Sequence, residues 1–402
     1  MEPIARPLYI NRLMSFKDTP FIKMITGVRR CGKSTLLDLL EKEFISSGIP
    51  KEKIIRVNLD SMEWKASVEN WKELYSCVRD LLGNGKNYVM IDEIQNVPGW
   101  EEAAISMFTD MDADLYITGS NAVMLSPDLG SKLVGRYVEI EVLPLSFSEY
   151  LTFIGSDQDP DRIFTEYVRH GGFPAAALMH DRPQLLETVI DGIFHTIVDF
   201  DIAGRNAIGD RALISSLAAF LIGNVGNTVS AKSISDYLSS NGRKVNHTTI
   251  DNYLLTMERS FLFYKVKRYD IQSRNILKTL DKYYVVDTGI RSLISASQDQ
   301  DYGRVLENVV YLELLRRGYK VSIGKIGTEE VDFIAAKGSA TEYYQVTYSM
   351  SDEGTRKREL TPLRKIKDSH RKLIISADRN AISDYGGILN LNIVDWLLWT
   401  AP

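Results

Sequence analysis

Eight residues, Gly27-Val28-Arg29-Arg30-Cys31-Gly32-Lys33-Ser34, constrain this chain more than any other stretch. Their spacing is that of a phosphate-binding loop, G-x-x-x-x-G-K-[ST]. Glycines let the backbone wrap tightly and aim its N–H groups inward, which makes a nest for anionic oxygens. Lys33 is placed to reach β- and γ-phosphates, and the Ser34 hydroxyl to ligate Mg²⁺. A loop of this kind needs a strand before it and a helix after it. Phe21 to Thr26 alternates as a strand does, and Leu36, Leu37, Leu39, Leu40 and Phe44 recur at helical spacing, with Gly48 as a stop. The positive end of that helix adds to the field on an anion.

A second feature completes the chemistry. Tyr88-Val89-Met90-Ile91-Asp92-Glu93 is an apolar strand ending in two carboxylates. Asp92 is expected to hold Mg²⁺ and Glu93 to orient and polarise an attacking water, the division of labour that phosphate hydrolysis requires. Strands at Lys53 to Leu59, Asp114 to Thr118 and Tyr137 to Val142 alternate with helices at Trp71 to Leu82 and Trp100 to Met111, which implies a parallel sheet with crossover helices. Ligands of such sheets lie beyond the carboxyl ends of the strands. Ser120 and Asn121, after one of them, are placed to sense a γ-phosphate. Arg136 just precedes another; it either reaches a phosphate held by a neighbouring subunit or pairs with Glu139 or Glu141. Arg6 and Tyr9 either flank a base or pack.

The net charge of −5 over 402 residues excludes a general polyanion binder, so any nucleic-acid surface is local. Two cysteines, Cys31 and Cys77, make neither a disulfide framework nor a zinc cluster. No leader and no bilayer-length apolar run is visible, and a cytoplasmic location without membrane contact is the expectation.

Four regions are expected: an ATPase core at 1–145, a helical lid at 146–205, a winged helix-turn-helix at 206–300 and a last α/β unit at 301–402. In the lid, Gly171-Gly172-Phe173-Pro174 is a sharp turn whose proline suits a helix start and whose position suits contact with nucleotide. In the third region, helices at 211–223, 230–239 and 246–259 precede strands at 261–268 and 283–286 around a basic loop. From Arg243 to Arg291 basic residues outnumber acids about two to one. DNA contact is expected through Arg243 and Lys244 ahead of the third helix, through His247, Thr248 and Asn252 on it, and through Lys265, Lys267 and Arg268 on a wing. The last region reads α-β-β-β-α-β.

Together these residues resemble bacterial and archaeal AAA+ ATPases, a group related to STAND nucleotide switches, with a restriction-nuclease-like C-terminal domain. The carriers are Thr26 to Thr35 with its arginine pair Arg29 and Arg30, Ile91-Asp92-Glu93-Ile94-Gln95, Thr118-Gly119-Ser120, Leu133-Val134-Gly135-Arg136, Leu143 to Phe147, Gly171 to Pro174, and Glu330-Val331-Asp332-Phe333. The resemblance implies ATP and Mg²⁺ as cofactors, contact with nucleotide by Gly27, Arg29, Arg30, Cys31, Gly32, Lys33, Ser34 and Thr35, a homo-oligomer such as a hexameric ring, and a trans-acting Arg136. The C-terminal region looks like the PD-(D/E)XK fold, in which Glu307, Asp332 and Gln345 match the metal-gathering positions. Thr347 stands where that pattern has lysine, so an inactive domain is expected, with Lys325 as a substitute cation if it cuts. The functions implied are ATP-driven DNA binding or remodelling, a nucleotide switch that recruits a protein partner, or an ATP-gated nuclease.

Overall fold

The structure is a computed structural model that describes residues 4–120, 133, 135–155, 158–204, 210–240, 242–277, 280–294, 302–379 and 384–399. It divides into two compact units, Met1–Val142 with Arg259–Phe261, and Leu143–Glu258 with Leu262–Pro402.

The first unit opens with helix α1 (Pro7–Ser15), strand β1 (Ile22–Thr26) and helix α2 (Lys33–Ser46). Then come β2 (Ile54–Asn58), α3 (Met62–Ser67), α4 (Trp71–Leu81), β3 (Asn87–Asp92), α5 (Trp100–Asp110), β4 (Ala113–Thr118) and β5 (Tyr137–Glu141). The five strands form one parallel sheet in the order β2-β3-β4-β1-β5. Every residue of β1 and β3 is buried, as befits parallel strands covered on both faces. Helix α2 forms because Leu36, Leu37, Leu40 and Phe44 share one face and are fully buried, each contributing about 1.5–3 kcal/mol. Asn70 caps α4, accepting N–H bonds from Lys72 and Glu73. Arg6 and Tyr9 are both buried, the guanidinium stacked 4.4 Å from the ring centroid and donating to the Cys31 carbonyl at 3.1 Å, so they brace the loop by packing.

At the amino end of this sheet Lys23 of β1 is fully buried in an ion pair with Asp114 of β4, whose other oxygen accepts the Tyr116 hydroxyl at 2.8 Å and the Asp18 N–H at 2.9 Å. Such a pair survives burial only because the second oxygen is also satisfied.

The second unit begins with α6 (Phe147–Ile154), α7 (Pro160–His170), α8 (Pro174–Leu178) and α9 (Pro183–Thr196). Ser146 and Glu149 form a reciprocal capping box on α6. The helix expected to run from Pro183 to Phe200 instead passes at Ile197 into eight residues of π-helix ending at Gly204. Next come α10 (Arg211–Gly223), β6 (Thr228–Val229), α11 (Ala231–Ser240), α12 (His247–Arg259), β7 (Phe263–Val266), β8 (Arg268–Asp270), β9 (Asn275–Ile276), β10 (Asp281–Val285) and α13 (Thr288–Ile294). The expected two-stranded wing is a three-stranded antiparallel sheet, β6-β10-β7. Its basic loop does not hang free: β8 runs parallel to β11 (Lys320–Ile326) and joins, with β9, the edge of the last sheet.

That sheet has seven strands, β15-β14-β13-β12-β11-β8-β9, with β12 (Glu329–Lys337), β13 (Ala340–Thr347), β14 (Arg371–Ser376) and β15 (Ile388–Asn392). Helices α14 (Tyr302–Arg316), α15 (Glu353–Lys365) and α16 (Ile393–Leu398) complete the unit.

Asp287, just before α13, locks two loops of this unit together. Its buried carboxylate accepts N–H bonds from Gly172 at 2.6 Å and Gly289 at 2.9 Å. Gly171 lies in the left-handed region at φ +81°, and a Cβ there would stand 1.8 Å from Asp287 Oδ1, so no other residue fits. Burial pushes the Asp287 carboxyl up to about 7, against the pull of these N–H donors. The unfolded chain releases that proton near 3.8 and the folded one near 7, so the folded state binds more protons in between. Stability is therefore expected to fall as pH rises through this window, by on the order of 4 kcal/mol for this group alone. Urea midpoints of wild type and Asp287→Asn from pH 4 to 8 check this: the difference should carry the slope, and a constant difference would refute it.

Candidate functional site

The loop between β1 and α2 is built as a cradle. Gly27 sits at φ +137° against the Val142 carbonyl, which a Cβ would meet at 2.3 Å. Arg30 and Gly32 also adopt left-handed conformations, at φ +66° and +101°. Gly32 is the N-cap of α2 and offers no side-chain acceptor, so the first-turn N–H groups are left for an anion. Lys33 is buried, its ammonium 3.0 Å from the carbonyls of both Gly27 and Val28. Ser34 and Thr35 are exposed at the helix start, Arg30 is exposed, and Arg29 is half-buried. Cys31 is fully buried, and burial raises its thiol, so it packs and does not react.

Asp92 ends β3 and is buried; Thr118, at the end of the adjacent β4, donates its hydroxyl to Asp92 Oδ1. The same Thr118 oxygen accepts the Glu93 N–H at 2.9 Å. Glu93 adopts φ +55°, a left-handed turn that lifts its side chain out of the strand's alternation. Its Oε2 accepts from Gln95 Nε2 and lies 3.3 Å from Ser120 Oγ. Because β4 lies between β3 and β1, the loop, Asp92, Glu93 and Ser120 share one edge of the sheet. Asn121 lies outside the described residues, as does Val134. Arg136 is exposed, and Glu139 accepts the Thr26 hydroxyl at 2.7 Å. Pro174 is the first residue of α8 in the second unit.

Residues 19–151 match the AAA domain, and residues 161–301 match a domain of unknown function, DUF8612. An uncharacterized protein of Haemophilus influenzae is 40% identical over 402 residues, covering 98% of both chains. The uncharacterized protein MJ1544 of Methanocaldococcus jannaschii is 30% identical over 396 residues, covering 92% of this chain and 84% of its own. The chain belongs to the family of these two proteins, one built on an AAA-type P-loop ATPase domain. Among solved structures, the Walker-type ATPase PABY2304 of Pyrococcus abyssi matches at TM-score 0.49 and 16% identity, over 72% of this chain and 95% of that one. The α/β fold with its five-stranded parallel sheet fits the AAA+ P-loop architecture.

The AAA domain's donors fit a nucleoside triphosphate with Mg²⁺: a glycine-lined cradle, a buried ammonium, open N–H groups, a hydroxyl at Ser34 and a carboxylate at Asp92. No helix among the described residues is long and apolar enough to cross a membrane.

A second cluster lies in the C-terminal region, where a pocket of about 530 Å³ gathers Glu307, Asp332, Gln345 and Thr347. Lys325, the cation expected to assist there, sits opposite Glu330 in the β11–β12 register and does not line the pocket. The buried cation is Lys282 of β10, 2.6 Å from Glu330 and 3.7 Å from Glu307. Burial would lower its pKa, but Glu307, Asp332 and Glu330 outweigh that and raise it. Burial, with the charge of Glu307, raises Asp332 well above the carboxylate range. Gln345 is used internally, accepting the Asp332 N–H at 2.8 Å and donating to Glu359 at 2.7 Å. Among the described residues no group of three His, Cys, Asp or Glu is gathered as a metal ion needs. Sequence reasoning missed Lys282, Glu359, Asp287 and Gln95. Only Gln95 carried a signal, its place two residues after the paired acids.

Three of the basic DNA candidates are engaged with acids: Arg243 with Asp210 at 3.2 Å, Lys265 with Asp281 at 3.1 Å, and half-buried Arg268 with Glu330 at 3.8 Å. Arg268 lies on β8, whose strand pairs with β11 in the last sheet rather than with the expected wing. Lys244, Lys267, His247, Thr248 and Asn252 remain exposed.

Proposed function

We propose that this chain is a Mg²⁺-dependent ATPase that works as a homo-oligomer and couples turnover to DNA. What carries the reading is the meeting of the phosphate cradle, Asp92, Glu93 and Ser120 along one sheet edge. Lys33 and the first-turn N–H groups of α2 hold the β- and γ-phosphates. Ser34 and Asp92 hold Mg²⁺, which when bound neutralises phosphate oxygens. Thr118 fixes both acids through one hydroxyl. Glu93 orients the attacking water and takes up its proton, as the oxygen bonds to the γ-phosphorus and the bond to the bridging oxygen breaks. Arg136, exposed ahead of β5, acts on the nucleotide of a neighbouring subunit.

We read 206–300 as a winged helix that meets DNA through His247, Thr248 and Asn252, with Lys244 and Lys267 on phosphates. We read the C-terminal region as a nuclease-like fold that does not cut; an internally bonded Gln345, and Thr347 in the lysine's place on the pocket wall, support this.

ATP turnover of the purified protein, with and without duplex DNA across a salt series, tests the proposal. Turnover should depend on Mg²⁺ and rise with DNA, with the DNA effect lost at high salt. Lys33→Ala should weaken nucleotide binding about 10- to 100-fold, as expected for losing one charged donor. Absence of ATP binding by wild type would overturn the ATPase reading, and absence of DNA affinity at low salt would overturn the DNA part.

A further inference from the structure

We infer that Gln95 positions the attacking water in this hydrolysis, an inference that rests on the ATPase reading and deepens it. After the left-handed Glu93 the chain makes one 3₁₀ turn, Ile94–Asn96, pinned by the fully buried Ile94. The turn brings the Gln95 side chain back onto the acid two residues earlier. A carboxylate only accepts, so the amide nitrogen must be the end facing Glu93 Oε2, and the orientation of the amide is fixed. That nitrogen also lies 3.4 Å from Ser120 Oγ. The other end, Gln95 Oε1, is buried and has no hydrogen-bond partner among the described residues. A buried amide oxygen left so forfeits the hydrogen bonds it had in water, which needs a reason.

The chemistry supplies one. An attacking water has two protons. One passes to Glu93; the second needs its own acceptor, or the oxygen rotates and its lone pair wanders from the phosphorus. Gln95 and Ser120 both engage Glu93 Oε2, which leaves Oε1 of the same carboxylate for the water. Gln95 Oε1 then takes the second proton in a hydrogen bond. Two acceptors on one rigid turn fix the direction of attack, and a misplacement of about 1 Å at such a step costs on the order of 100-fold.

The experiment compares Gln95→Ala and Gln95→Glu with wild type, measuring kcat, nucleotide affinity, Tm and the pH dependence of kcat. Gln95→Ala should lower kcat by about 10- to 100-fold while affinity and Tm stay at wild-type values. Gln95→Glu keeps an acceptor but places a second carboxylate beside Glu93, so the acid limb of its pH profile should move to higher pH. A kcat for Gln95→Ala within twofold of wild type overturns the inference alone. So does a fall matched by equal losses of affinity and Tm, which marks a structural role. No turnover by wild type removes this inference together with the ATPase reading.

Discussion

Glu93→Gln is expected to bind ATP as tightly as wild type and to hydrolyse it about a hundred- to ten-thousandfold more slowly. The substitution is isosteric, and the contact that shapes the turn is made by the backbone: the Glu93 N–H donates to Thr118 Oγ1 at 2.9 Å whatever the side chain. Asp92 keeps its own bond from the Thr118 hydroxyl, so the metal-binding carboxylate is undisturbed. What the amide cannot do is accept a proton. The loss therefore falls on kcat, with nucleotide affinity and Tm held. Single-turnover hydrolysis alongside equilibrium nucleotide binding makes the check. Turnover equal to wild type would show that the proton leaves by another route and that Glu93 is not the base.

The motifs of the first unit were legible because they are local. A phosphate loop needs its glycines at set positions, and Gly27 meets a backbone carbonyl that would exclude any Cβ. Helix α7 is read to the residue because its ends are written in side chains: Asp159 accepts from the Asp161 N–H, Pro160 opens the first turn, and Gly171 stops it. The misreadings have a common cause. Periodicity says which side of a strand is buried, not which strand it joins. Thus Arg268 reads as the end of a basic wing, yet its segment pairs with β11 in another sheet. The π-helix after Thr196 is similar, since nothing in an apolar run separates it from a continuing α-helix. Gln95 was visible as a motif residue, but its task depends on the left-handed backbone of Glu93, which the letters do not announce.

Lys282→Met should be among the most destabilising substitutions in the second unit, lowering stability by about 3–5 kcal/mol. Lys282 is buried and faces Glu307, Glu330 and Asp332 with a single positive charge. Removing it takes away the cation that most offsets the charges of Glu307 and Asp332, which costs more than the pair was worth. The deficit should depend on pH with a definite sign. Asp332 and Glu307 already hold their protons more tightly than ordinary carboxyls, through burial first, and loss of the lysine raises both further. The folded variant then keeps protons that the unfolded chain has released. The variant's stability accordingly falls as pH rises above the ordinary carboxylate range, so it lies closest to wild type in acid and farthest from it above neutrality. Glu307→Gln removes one of the stranded charges and should restore much of the loss when combined with Lys282→Met, although alone it weakens the cluster. A denaturation cycle of the two single variants and the double, at pH 5 and pH 8, measures this coupling. Additive effects at both values would mean that Lys282 acts by filling space. A coupling that grows with pH would identify its charge as what keeps so many carboxylates inside the C-terminal region.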